Sequence, residues 1–297
     1  MECFPQAVEE GAPEQDAISI FHSPEARQVK EQIVLAGKKL WQRQYVDGNG
    51  GNISVRISPQ YVICTPTLLS KGDLTPDDLS LIDMNNQRLC GERPHTSEVL
   101  LHLEIYNAVP EAKAVIHCHP PYATAHAVAG VVPQGGLVPE MEVFVGPVAL
   151  APYETPGTKA FAETVLPYVR DHNTVLLSNH GIVCWADTVA HAEWYVEILD
   201  TYCKTILLAS QLRSPLPEIP PGKINDLLAI KKKLGLPDAR FHDATGKAPS
   251  APAQAGAPSK GTVPLEMGRD AKEFEGLLSS LTASVLEFFA KTTPGKQ

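Results

Sequence analysis

A chain of 297 residues with 43% hydrophobic residues and a net charge of -9 can bury one large core or two small ones. The acidic balance excludes nucleic acid and anionic membrane surfaces as partners, because both select clustered Lys and Arg. A small phosphorylated substrate stays allowed, since it needs only local donors.

Met1 to Gln15 carries acids and prolines without an apolar signal segment. No run approaches the roughly 18 apolar residues of a membrane span, so the expected location is cytoplasmic. The six cysteines, at positions 3, 64, 90, 118, 184 and 203, are scattered without CxxC spacing and read as reduced thiols.

In chain order, residues 1–23 read as a flexible lead-in. Val29, Ile33, Ala36, Leu40 and Trp41 recur at helical spacing and predict a helix from about Pro24 to Tyr45. Asp47 to Asn52 is a glycine-rich turn. Strands are expected at Ile53–Ile57, Tyr61–Cys64, Ala114–His119, Val143–Leu150 and Thr174–Ser178. Helices are expected at Glu98–Tyr106, Gly157–Val169 and Val189–Leu212. Strands mixed with helices indicate an α/β core, and the short gaps between some strands indicate antiparallel pairs. One folded domain is thus expected over 24–243. Residues 244–264, rich in Ala, Pro, Gly and Ser, read as a linker. Residues 265–297 form an amphipathic tail, with Phe274, Leu277, Leu281, Val285 and Phe288 on one stripe.

The chemistry concentrates in histidines. His117 and His119 sit two apart in a strand-like segment, so both imidazoles face one side and can reach one ion. Pro120 and Pro121 end that strand, which places the pair at the sheet edge rather than within it. Cys118 between them should point away into the core. His180 follows another apolar strand in Ser-Asn-His-Gly. Three imidazoles with an open fourth position describe a catalytic metal site, with zinc the default among non-redox ions. An HxH pair occurs often without a metal; its company carries the reading. Glu98 lies in Thr-Ser-Glu, where Thr96 or Ser97 can cap a helix with Glu98 in its first turn. It either complements the helix dipole or serves a metal site as ligand or proton-transfer base.

Seven segments in order — Gly-Gly-Asn-Ile-Ser (50–54), Thr-Pro-Thr (65–67), Leu-Thr-Pro-Asp-Asp-Leu (74–79), Thr-Ser-Glu (96–98), His-Cys-His-Pro (117–120), Pro-Tyr-Glu-Thr-Pro-Gly-Thr (152–158) and Ser-Asn-His-Gly (178–181) — resemble the class II aldolase/adducin family. The resemblance spans about Pro24 to Ala209. It implies a three-layer α/β/α sandwich with a central mixed, largely antiparallel sheet. It also implies one zinc ion per subunit on His117, His119 and His180, a homotetramer with sites between subunits, and Glu98 as acid/base. Gly51, Asn52, Thr67, Thr96 and Ser97 fall where that family cradles the substrate phosphate. A glycine turn, hydroxyls and a helix N-terminus suit a phosphate physically.

Two departures stand out. Leu68 replaces the glycine that usually follows Thr-Pro-Thr, with Lys71 nearby as a substitute donor. The tyrosine by which the aldolases protonate the aldehyde-side oxygen is missing from Pro139-Glu-Met-Glu142; Glu140 or Glu142 takes that role, or both are surface charges.

The implied reaction is reversible aldol cleavage of a ketose 1-phosphate such as fuculose 1-phosphate to dihydroxyacetone phosphate and lactaldehyde. The alternatives on the same scaffold are a pentulose-phosphate 4-epimerase, a methylthioribulose-phosphate dehydratase and a tetronate-phosphate decarboxylase. A non-catalytic adducin-like interaction protein is a further one. Residues 265–291 resemble encapsulation peptides, which implies a shell-protein partner in a bacterial microcompartment.

Overall fold

The computed structural model describes residues 12–241. The first eleven residues, the linker at 244–264 and the tail at 265–297 lie outside them.

Where the sequence suggests a loose lead-in, Ala12–Phe21 is a helix, α1. Ala17 and Phe21 are buried, and Lys30 stands over the Phe21 ring while donating to its carbonyl. An apolar seam and a cation–π contact therefore dock a segment that lacks a strong period of its own. α2 (Pro24–Gln42) starts where expected: the Ser23 hydroxyl accepts the Ala26 amide, and Pro24 takes a first-turn position that needs no donor.

The strands β1 (Asn52–Arg56), β2 (Tyr61–Cys64), β3 (Ser80–Asp83) and β4 (Arg88–Cys90) form an antiparallel meander. α3 (Val99–Ala108), β5 (Ala114–Cys118) and α4 (Pro121–Ala129) follow, then β6 (Ala149–Ala151), α5 (Lys159–Glu163), β7 (Thr174–Leu177) and β8 (Gly181–Ala186). The long α6 (Val189–Leu212) and α7 (Pro221–Lys233) complete the order. The eight strands make one sheet, β4-β3-β2-β1-β5-β8-β7-β6, in which only β6 and β7 run parallel. Two apolar clusters cover its faces. One carries α2, α4 and α6; the other carries α3 and α5. The three-layer α/β/α sandwich with a mixed, largely antiparallel sheet is the architecture found.

β5 is central, hydrogen-bonded to β1 on one side and β8 on the other. The expectation that the histidine pair sits at a sheet edge is therefore wrong. Proline stops the strand lengthwise, and β1 and β8 still flank it up to His117 and Cys118. Cys118 lies in the cluster of α2, α4 and α6, as its place between the histidines requires. Two further elements differ from expectation. Val143–Leu150 is not one strand: a π-helical turn covers Met141–Val145 before β6, and Gly146, at a φ of 79°, separates the two. Gly157–Val169 shortens to α5, capped by Thr158.

Candidate metal centre

The site forms at the end of β5 where three chain segments converge. His117 is the last but one residue of β5, paired with Asn52 and Val183. His119 follows the strand, its amide held by the Tyr45 carbonyl. His180 stands in the tight β7–β8 connection, preceded by Asn179 at a positive φ of 56°. The next residue must be glycine. A Cβ on Gly181 would come within 2.5 Å of the Cys118 carbonyl and 2.7 Å of His119 Cδ2. That close approach of β8 to the strand end lets His180 reach the other two. One ring nitrogen from each histidine then lies within 4.8 Å of the others.

The donors are poised for a cation. His117 Nδ1 donates to the Ile182 carbonyl at 2.8 Å, which leaves Nε2 bare. His119 Nε2 faces it at 3.1 Å. Burial, reinforced by the neighbouring histidines, holds the His117 pKa well below the ordinary range, and burial beside His119 lowers that of His180 to about 4. Converging neutral imidazoles that cannot all carry protons are the donor set that fits a divalent ion. Glu98 closes the group, 3.4 Å from His117 Nε2 and 3.6 Å from His180 Nε2. Burial raises its pKa, opposed by a hydrogen bond from Asn52.

Glu98 is not in the first turn of α3, as expected. It is the N-cap residue, yet its side chain turns to the histidines, and Thr96 Oγ1 accepts the Glu98 amide instead. The carboxylate is thus free for chemistry.

Of the proposed phosphate residues, Asn52 and Thr96 hydrogen-bond to Glu98. Gly51 has a φ of 68°, and a Cβ there would meet Val46 at 2.6 Å and the His117 carbonyl at 2.9 Å. Only glycine lets this turn lie on the strand end. Thr67 and Thr96 belong to two segments laced together by Thr67 N to Pro94 O, Thr96 N to Thr65 O and a bridge between Pro66 and His95. Ser97 is exposed at the mouth of α3. Leu68 adopts a φ of 56° with its side chain in solvent. It keeps the backbone shape that a glycine would give, at the strain cost of a bulky residue in that region. Lys71 does not stand in as a phosphate donor. Its ammonium is buried and donates to the carbonyls of Asn49 and Leu69, tying the glycine turn to the Thr-Pro-Thr loop. Burial lowers its pKa to about 8.

Glu140 is exposed at the head of the π turn, and no ion pair joins it to a triad histidine. Glu142 is not a surface charge. It is buried, accepts the Gly136 amide and pairs with Arg240 at 2.7 Å. Arg240 also pairs with Asp238, which pairs with Lys231. The sequence reading missed this clamp because Glu142 lies 98 residues from Arg240 in the chain.

Residues 31–207 match the family described as Class II Aldolase and Adducin N-terminal domain. Among curated proteins, a 3-oxo-tetronate 4-phosphate decarboxylase of Haemophilus influenzae is 33% identical over 179 residues, 59% of this chain and 85% of that protein. An L-fuculose phosphate aldolase of Methanococcus maripaludis is 34% identical over 175 residues, 59% and 93% of the two chains. Among solved structures, an L-fuculose 1-phosphate aldolase superposes with a TM-score of 0.64 at 28% identity, covering 70% of this chain and 97% of that one.

Proposed function

We propose that this chain, which belongs to the class II aldolase and adducin family and is a metal-dependent carbon–carbon lyase, cleaves a deoxyketose 1-phosphate such as fuculose 1-phosphate into dihydroxyacetone phosphate and an aldehyde. The observation that carries the reading is Glu98 lying across the nitrogens of His117 and His180. His117, His119 and His180 hold one divalent ion, zinc by the preference of three neutral imidazoles. When bound, the ion supplies Lewis acidity for substrate oxygens as negative charge builds on them. Gly51, Asn52, Thr67, Thr96 and Ser97 hold the phosphate through backbone and hydroxyl donors. Cleavage breaks the C3–C4 bond; C4 becomes the aldehyde as its hydroxyl proton passes to solvent water, and C3 keeps the electron pair. Glu98, beside the reacting carbon, takes up a proton from water and passes it to C3.

A second reading is decarboxylation of 3-oxo-tetronate 4-phosphate, supported by the identity to the Haemophilus influenzae enzyme. It leaves the same three-carbon phosphate and needs the same proton at carbon. It differs by releasing carbon dioxide, which requires no group to take a hydroxyl proton. Of the two residues suggested for that task, Glu140 is exposed and Glu142 is paired with Arg240, which favours keeping this reading beside the first.

The assembly follows the same lines. A homotetramer is supported by the family resemblance and by exposed Trp194, Leu207, Leu208 and Leu212 along α6. The apolar stripe at 265–291 supports docking to a microcompartment shell protein.

The test incubates the zinc-loaded full chain with fuculose 1-phosphate, ribulose 5-phosphate and 3-oxo-tetronate 4-phosphate. Aldehyde and dihydroxyacetone phosphate from the first support the aldolase reading, and carbon dioxide from the third alone transfers it to the decarboxylase. His119→Ala is expected to lose both metal and turnover. Full metal content and activity in that variant would remove the triad from the mechanism.

A further inference from the structure

Behind Glu98 a row of buried polar groups runs between β1 and α3. Asn52 Nδ2 lies 2.7 Å from Glu98 Oε2, and Asn52 Oδ1 lies 2.6 Å from His102 Nε2. His102 Nδ1 lies 2.7 Å from Ser54 Oγ, and Ser54 Oγ lies 2.8 Å from the Tyr106 hydroxyl. His102 and Ser54 are fully buried and Asn52 nearly so.

With Glu98 ionised, one arrangement of protons satisfies the whole row, although the Tyr106 hydroxyl also has the Lys113 carbonyl within 3.5 Å. An ionised carboxylate only accepts, so the amide nitrogen of Asn52 must face Glu98. Its carbonyl then faces His102, whose Nε2 must carry the hydrogen. His102 is neutral, since burial pushes its pKa to about 3, so Nδ1 is bare and accepts from Ser54. The Ser54 oxygen in turn accepts from Tyr106. Every donor points toward the carboxylate, and each bond polarises the next.

We propose that His102 is a positioning residue: its Nε2–H locks the Asn52 amide so that an N–H, and not the carbonyl, faces Glu98. This rests on Glu98 as the acid/base of the proposed function and concerns its ionised form. The lock matters because an amide rotates by 180° with little change in shape. Turned over, Asn52 sets its carbonyl oxygen against the carboxylate. It also withdraws the second N–H, which stays available to the substrate phosphate. His102 lies four residues after Glu98, so one helix face carries both, and no segment resembling a motif marks it.

The first test needs no substrate. Selective 15N-histidine labelling reads the tautomer of each neutral ring, and the line that vanishes in His102→Gln belongs to His102. A protonated Nε2 with a bare Nδ1 is expected; the opposite tautomer overturns the proposal. The second test is kinetic. His102→Leu is expected to lower kcat roughly 10- to 100-fold, the range for partners that orient groups at a metal site, with zinc content unchanged. His102→Gln keeps a donor toward Asn52 and is expected to recover most of the loss. In a Glu98→Gln background the leucine substitution should cost almost nothing more. Equal losses in both backgrounds, or no recovery with glutamine, overturn the proposal in favour of simple core packing. If His102→Leu fails to fold, the tautomer and the glutamine variant decide. Inactivity on every sugar phosphate sinks the proposed function alone, because the tautomer is read without turnover.

Discussion

Glu98 is placed by contacts on both sides of it: histidines in front and the Asn52 amide behind. Replacing it by glutamine keeps the shape and removes the transferable proton. Turnover of Glu98→Gln is expected to fall at least about 10²-fold, the usual contribution of a general acid or base. Zinc content and melting temperature should stay near the parent values, and a loss within a few-fold would remove Glu98 from the role. His102 gives a pH prediction. Its pKa is depressed to about 3 in the fold by burial and lies at about 6.5 in an unfolded chain. Below that value the unfolded chain takes up a proton that the folded one cannot. Stability therefore falls as pH drops from about 6.5 toward 3, by up to ~1.4 kcal/mol per pH unit from this residue, and the residue adds no slope above that window. Urea titrations at pH 7 and pH 5 should show a smaller difference for His102→Gln than for the parent.

At the scale of elements, the β7–β8 hairpin brings His180 to the pair on β5, and it depends on one missing methyl group. Gly181→Ala drives a Cβ into the Cys118 carbonyl and the His119 ring. It is expected to cost about 1–3 kcal/mol, as overpacking does, and to lower bound zinc, measured by denaturation and elemental analysis. α7 and the turn after it are held by a different device. Lys231, Asp238 and Glu142 are buried, Arg240 is partly so, and Lys231 also donates to the Val145 carbonyl. Asp238→Ala leaves the buried Lys231 and the partly buried Arg240 short of a partner, which typically costs about 3–5 kcal/mol. A chain ending near Arg213 should be destabilised for the same reason, although the family match stops at residue 207.

For the whole molecule, the folded part reaches at least residue 241, and the tail lies beyond it. If residues 265–291 serve docking, a chain ending at 243 keeps its turnover and its oligomeric state. The same residues fused to a fluorescent protein should then concentrate it in shells formed in a host cell. Diffuse fluorescence, together with loss of activity or assembly in the truncated enzyme, would assign the tail to the oligomer instead.

The sequence by itself determined the parts that are local. Helical spacing gave α2 from Pro24, and the helix expected over Val189–Leu212 is α6 at those same bounds. The two-residue spacing of His117 and His119 fixed that they share a face while Cys118 turns to the core, because strand geometry leaves no other choice. His180 and Glu98 were candidates from their local segments, and family resemblance added their roles and the phosphate loops. Tertiary structure alone decided what depends on segments distant in the chain. β5 became central because β1 and β8 pair with it, which proline at its end cannot forbid. Glu142 became buried because Arg240 arrives from the far end of the domain. Lys71 became a tie between loops because two carbonyls sit within its reach. The direction of the His102 row could not be read from residue types, since each amide, imidazole and hydroxyl can donate or accept. Only their order in space, ending on a carboxylate that accepts alone, orients them.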